Sequence, residues 1–317
     1  MPAAAPPVVP HHDQRLPLVL RALINLPWPL KWWIATEPRR WRVFAGVCRR
    51  LGWSAARLGW HAAKNGPYRG LHLRVTHVNH LWLPMGLYEP WVSRWLVRLL
   101  SDDRWKCRGK DVWDIGANVG LVSLLCARHG GTRVVAFEPG EVNVNRLEEH
   151  RQANPLVAAQ IEVIPAAVSD VEGEVELLAG DDGVVGQITS PGVQLWHDPR
   201  QGARSVTVKT MRLDSLLGEG RPGPGLLKID VEGAEALVLA GAHHLLRHSR
   251  PAIVLEVHNQ DAHRACVALL KAAGYAVREI VGRHLRDLND EAITYGHLLA
   301  IPAEVEWPAE RLRCLAF

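Results

Sequence analysis

The chain has 317 residues, of which 48% are apolar and 22% charged, with a mean hydropathy of -0.05, a soluble globular composition long enough for about two domains. The formal net charge of +4 hides an uneven distribution. Residues 1–100 carry 14 Lys and Arg against three acids (Asp13, Glu37, Glu89), or +11, while the remainder carries 23 bases against 30 acids, or -7. Nine of the 13 tryptophans also precede residue 100. The first residues lack the basic start and unbroken apolar run of a secretory signal. Residues 16–34 are interrupted by Arg21, Asn25, Pro27, Pro29 and Lys31, which argues against a membrane span. Five scattered cysteines with no Cys-x-x-Cys pair argue against a disulfide framework and for a reducing, cytoplasmic setting.

In chain order, residues 1–14 read as a disordered Pro- and Ala-rich tail and 15–84 as a basic, Trp-rich helical extension with one short strand. From Arg39 to Lys64 the residues Phe44, Val47, Cys48, Leu51, Ala55, Leu58 and Ala62 fall on one helical face, with Arg42, Arg49, Arg50, Arg57, Lys64, Trp53 and Trp60 opposite. Two readings stand: a solvated basic face with the tryptophans packed under another element, or an interfacial helix in which 39–65 meets an anionic membrane surface from the cytoplasmic side. No nucleic-acid motif accompanies the charge, so no nucleic acid is expected. Leu71–Val75 alternates like a strand, and Pro90 opens a helix containing Trp91, Trp95 and Leu99.

From 85 to 317 the pattern becomes one α/β domain. Short apolar runs (DVWDIG, RVVAFEP, IEVIPAAV, LLKIDVEG, AIVLEVH) alternate with helical stretches, which predicts a parallel sheet covered by helices on both faces. An insertion at about 174–211 reads as extra strands, and its Gln187, Trp196 and His197 are candidates to touch a substrate. GYAVREIV and HLLAIPA read as a terminal antiparallel pair.

The sharpest local signal is Asp114-Ile115-Gly116-Ala117-Asn118-Val119-Gly120, a strand end, a tight turn and a helix N-terminus, which brings backbone N–H groups close to a ligand. A dinucleotide fingerprint needs glycines at 116, 118 and 121, but Asn118 and Leu121 stand there. A carboxylate at Asp114 repels phosphate and suits a cationic amino group. Glu138, at the end of the next strand, is placed to accept hydrogen bonds from ribose hydroxyls. A ribose, an ammonium group and no phosphate point to S-adenosylmethionine.

These segments, with Asn143, Asn145, the Ala167-Val168-Ser169-Asp170 stretch and above all Lys228-Ile229-Asp230-Val231-Glu232-Gly233-Ala234-Glu235, resemble the FkbM family of S-adenosylmethionine-dependent methyltransferases over roughly 85–303. The resemblance implies a Rossmann-like seven-stranded sheet with its last strand antiparallel. It also implies O-methylation of a hydroxyl on a saccharide, glycolipid or secondary metabolite. By position, Asp114, Gly116, Asn118 and Gly120 would surround the methionine part and Glu138 the ribose. Ala167, through its backbone, and Asp170 would stand near the adenine.

Methyl transfer to a hydroxyl needs alignment of acceptor oxygen, methyl and sulfur, and removal of the acceptor's proton. The acceptor should lie over the carboxyl ends of the fourth and fifth strands, which carry Asp230 and Glu232 on one and Glu256 and His258 on the other. Asp230 and His258 are the preferred pair, a His titrating near about 6.5 as base with a carboxylate fixing its tautomer. Glu235 is read as capping its helix or neutralising Lys228. Asp230, Glu232, Glu256 and His258 are also residue types that ligate divalent ions, but their spacing is no dedicated metal motif, and no metal is expected. Two further readings remain open at this point: a non-catalytic binding protein on the same fold, and a nicotinamide-dependent oxidoreductase.

Overall fold

The structure, a computed structural model, describes residue 43 and residues 59–75, 88–102, 110–179, 186–189, 204–217, 222–288 and 293–307. In chain order the strands are β1 (Gly59–Ala62), β2 (His72–Val75), β3 (Val112–Ile115), β4 (Val134–Phe137), β5 (Ile161–Ile164), β6 (Ala167–Val168), β7 (Gly173–Ala179), β8 (Gly186–Thr189), β9 (Arg204–Met211), β10 (Leu226–Ile229), β11 (Ala252–Val257), β12 (Tyr275–Val281), β13 (His284–Asp287) and β14 (Gly296–Pro302). The helices are α1 (Pro90–Ser101), α2 (Leu121–Gly130), α3 (Glu141–Gln152), α4 (Pro155–Ala158), α5 (Leu213–Leu216), α6 (Glu235–Ala240), α7 (His243–His248) and α8 (Gln260–Ala272).

The main sheet has the order β13-β12-β14-β11-β10-β3-β4-β5. Strands β3, β4, β5, β10 and β11 run parallel, and β14 enters antiparallel between β11 and β12. The antiparallel last strand agrees with expectation; the strand count is eight rather than seven, because β13 folds back on β12 as an edge hairpin. That extra strand reads His-Leu-Arg-Asp and is mostly exposed, so it carries no apolar alternation to announce it.

Central strands are buried on both faces, as parallel strands between helix layers are. Period-two alternation divides their side chains between two cores. Val112, Val134, Ala136 and Val254 join α1, α2 and the β1–β2 hairpin on one face. Trp113, Ile115, Val135, Leu227 and Ile253 join α6, α7 and α8 on the other. The insertion forms a second sheet of order β6-β9-β7-β8, so the extra strands read from 174–211 are present. Cys126 and Cys266 are buried.

The N-terminal part departs from expectation. Residues 44–58 of the amphipathic helix lie outside the described residues, but Gly59–Ala62, read as its last turn, is a strand paired antiparallel with β2. Trp60 is therefore not on a free helix face; its ring packs edge-on against His150, with centroids 5.4 Å apart. Nor is residue 85 a boundary in space, because Tyr68, Leu71 and Leu73 are buried in the same core as Trp95 and Leu96. Tyr68 Oη lies 3.1 Å from Ser93 Oγ, and Asn154 brackets His72, accepting from its N–H at 2.8 Å and donating to its carbonyl at 2.9 Å. His150 Nε2 accepts from the Arg74 N–H at 2.9 Å, so Nδ1 carries the proton and donates to Val119 O at 2.7 Å. One imidazole thus ties the hairpin to the glycine turn after β3.

If the hairpin belongs to the core, Leu73→Ala destabilises the whole domain by about 2–5 kcal/mol, seen as one cooperative unfolding transition moved to lower denaturant. An unchanged transition would make the hairpin an appendage.

Candidate functional site

Leaving β3, the chain goes outward to β4 and β5 and then returns to β10 beside β3. Such a switch point leaves a crevice at the carboxyl ends of the two strands, and the site is there. Gly116 (φ +78°) lies so close to β10 that a Cβ on it would stand 1.8 Å from the Asp230 carbonyl oxygen, and the Asp230 N–H donates to Ile115 O at 3.0 Å. The turns after β3 and β10 are one packed unit.

The crevice is lined by Gly116, Asn118, Glu138, Ala167, Asp230 and Glu232 among the expected residues. Its far wall, Leu177, Gly186 and Ile188, comes from the second sheet. Gln187 is buried outside this lining, and Trp196 and His197 lie outside the described residues.

Glu138 Oε2 accepts from the Asn118 N–H at 2.8 Å, and Oε1 from the Gly140 N–H at 2.9 Å and Asn143 Nδ2 at 3.4 Å. Burial pushes this carboxyl up and the three N–H donors oppose it. A carboxylate offers about four acceptor positions, which leaves one for a ligand hydroxyl. Beside it Asn143 Oδ1 is buried with no hydrogen-bond partner among the described residues. Two adjacent acceptors facing one crevice fit the vicinal hydroxyls of a ribose.

Three expected cofactor residues stand elsewhere. Alternation along β3 turns Asp114 away from the crevice and under α2, where Ser123 Oγ donates to its carboxylate at 2.5 Å. Burial there lifts it to about 6 against the pull of Ser123 and Lys228. Gly120 caps α2 at φ +83°, and a Cβ on it would meet Leu147 Cγ at 2.6 Å, so its smallness serves the packing of α3. Asp170 is exposed and accepts from its neighbour Ser169 Oγ at 3.1 Å.

The acids at the ends of β10 and β11 come together around His258. Its Nδ1 is 2.8 Å from Glu235 Oε1, and its Nε2 is 3.3 Å from Glu232, 3.6 Å from Asp230 and 3.7 Å from Glu256. Burial opposes a charge on this ring, but the Glu235 bond and the charges of Glu235, Asp230 and Glu232 prevail and raise it to about 9. The ring thus favours the protonated form above neutrality, hydrogen-bonded at Nδ1 to Glu235 with Nε2 turned toward the other three acids, unlike the base titrating near neutrality that was expected. Asp230, Glu256 and His258 also stand close enough together to hold a metal ion.

Burial raises Glu232 to about 7, with His258 pulling down and Asp230 and Glu256 pushing up. Asp230 is likewise raised by burial and restrained by Lys228, whose Nζ is 3.2 Å from Asp230 Oδ2. Lys228 is thus paired with Asp230, not with Glu235 as expected. Burial disfavours the ammonium, but Asp230, Glu89 and Glu256 keep it charged. Glu256 points past the crevice to His297 at 2.9 Å; despite burial, that bond, His297 and Lys228 hold it well below the usual range. Glu89, His297 and Tyr295, which neighbour this group, carry no motif that singles them out in the sequence.

Asp114 gives a pH test with a defined sign. Its proton is held more tightly in the folded chain (about 6) than at the ordinary value of 3.8, so stability falls as pH rises through that interval. Asp114→Asn should match the parent near pH 3 and exceed it at pH 8 by up to about 3 kcal/mol in denaturant unfolding. Equal stability at both pH values would contradict the assignment.

Residues 114–277 match the methyltransferase FkbM domain. Over 166 residues the chain is 28% identical to the hexuronic acid methyltransferase AglP of Haloferax volcanii, covering 51% of this chain and 61% of that one. Over 218 residues it is 31% identical to the 31-O-demethyl-FK506 methyltransferase FkbM of Streptomyces tacrolimicus, covering 58% and 82%. Among solved structures, methyltransferase FkbM from Methylobacillus flagellatus superposes with a TM-score of 0.42 at 14% identity, covering 84% of this chain and 71% of that chain. No described helix is long and apolar enough to cross a membrane.

Proposed function

The chain belongs to the FkbM methyltransferase family, and on that premise we propose that it is an S-adenosylmethionine-dependent O-methyltransferase acting on a hydroxyl of a saccharide, glycolipid or secondary metabolite. The observation that carries the proposal is the crevice itself, with two hydroxyl acceptors (Glu138, Asn143) on the β4 side and a carboxyl near neutrality (Glu232) on the β10 side. Relatives named for a hexuronic acid and for 31-O-demethyl-FK506 support the acceptor class.

S-adenosylmethionine supplies an activated methyl group on a cationic sulfur. The protein supplies position and a proton acceptor. Glu138 and Asn143 would hold the ribose, and Gly116 and Ala167 would leave room for the backbone to approach the ligand. Asp230, paired with Lys228, would set a carboxyl beside the reacting centre. Glu232, which lines the crevice, would take the proton of the acceptor hydroxyl; a group poised near the working pH serves best in that role. His258, hydrogen-bonded to Glu235, would orient the acids and is not the base in this reading. Asp114, Gly120 and Asp170 have structural roles in this reading.

Calorimetry with S-adenosylhomocysteine and NAD tests the assignment: the first binds and the second does not. Glu138→Ala should weaken the first by at least ~10-fold, whereas Glu232→Gln should leave it within about threefold while transfer is lost. Binding of NAD alone would overturn the proposal.

The basic balance of residues 1–100 supports a further part of the proposal, that segment 39–58 meets an anionic membrane surface. The full chain should co-sediment with phosphatidylglycerol vesicles and be released by high salt; equal binding to uncharged vesicles would contradict it.

A further inference from the structure

Glu235 is wholly buried at the start of a short helix and makes two hydrogen bonds through one carboxylate oxygen. Oε1 accepts from the Gly233 N–H at 2.7 Å and from His258 Nδ1 at 2.8 Å. Oε2 has no hydrogen-bond partner among the described residues, so the role of Glu235 rests on Oε1. The first bond fixes a turn in which Glu232 (φ +56°) and Gly233 (φ +104°) are both left-handed. Glutamate enters that region at a cost of order 1 kcal/mol, and the surrounding structure must hold it there. The second bond fixes the ring whose other nitrogen faces Glu232 at 3.3 Å.

We propose that Glu235 is the positioning residue of the reaction: one buried carboxylate oxygen fixes both the backbone that presents Glu232 and the His258 ring beside it. This rests on the reading of Glu232 as proton acceptor. From the turn after β10, Asp230, itself paired with Lys228, and Glu232 face His258; from α6, Glu235; from β11, Glu256; and from the approach to β14, Tyr295, whose ring centroid is 5.6 Å from the imidazole. Of these groups Glu235 alone engages Nδ1, so its charge is the main anchor of the ring's proton. Removing it has two opposed effects on Glu232: loss of the imidazolium raises that carboxyl, and loss of a nearby negative charge lowers it. The imidazolium is the larger influence, so Glu232 should rise and be protonated over more of the neutral range.

The first readout needs no acceptor. In an NMR titration of the full chain, Glu235→Gln should leave the fold intact and make His258 release its proton at least ~10-fold more readily, while Glu235→Asp restores part of the effect. An unmoved His258 midpoint in Glu235→Gln overturns the proposal. The second readout is kinetic. The rising limb of kcat against pH should shift to higher pH in Glu235→Gln, and the same change made in His258→Ala should lose most of that effect. Full additivity of the two would overturn action through His258. Binding of S-adenosylhomocysteine by Glu235→Gln should stay within about threefold of the parent, and its absence from the parent itself would instead refute the methyltransferase reading.

Discussion

The backbone contact between Gly116 and Asp230 joins the two halves of the site. Only hydrogen fits where Gly116 meets the Asp230 carbonyl, and the return bond from the Asp230 N–H to Ile115 O continues the β3–β10 ladder one step past the strands. The ligand-facing turn after β3 and the acid-bearing turn after β10 therefore cannot move independently. Glu138, at the end of β4, is bonded to the first through the Asn118 N–H, and Asp230 and Glu232 belong to the second. His150 extends the same unit outward, through Val119 to the hairpin of β1 and β2.

Around that joint the protein concentrates buried charge that it must also keep ordered. Lys228 and His258 are the buried bases; Asp230, Glu232, Glu235 and Glu256 surround them. Burial alone would neutralise most of these groups. Each carboxylate instead resolves differently according to its nearest partner. Glu256, bonded to His297, stays strongly acidic, while Glu232, with one side open to the crevice, sits near neutrality. Division of similar groups into unlike roles by environment is how one cluster can hold charge and move a proton.

The parts of this arrangement that are local in sequence were legible there. Strand-turn-helix spacing located the turn after β3, the acid at Glu138 and the acidic turn after β10, and the inserted strands announced the second sheet. What failed depended on contacts made across the fold. A carboxylate at Asp114, on the strand leading into the glycine turn, suits a cationic ligand group in sequence, but strand alternation sends it to Ser123 instead. His258 was read at its ordinary titration point, although four carboxylates brought from three elements determine its charge. Residues 59–62 fit a helical stripe equally well until pairing with 72–75, visible only in space, made them a strand. The far wall of Leu177 and Ile188 had no signature because apolar strand residues read alike wherever they face.

A crystal structure of the chain with S-adenosylhomocysteine tests the central claim most directly. The account predicts the ligand in the crevice between the turns after β3 and β10, its ribose hydroxyls on Glu138 and Asn143, and its sulfur on the side of Asp230 and Glu232. A ligand bound outside that crevice, or a ribose held by Asp114, would contradict it.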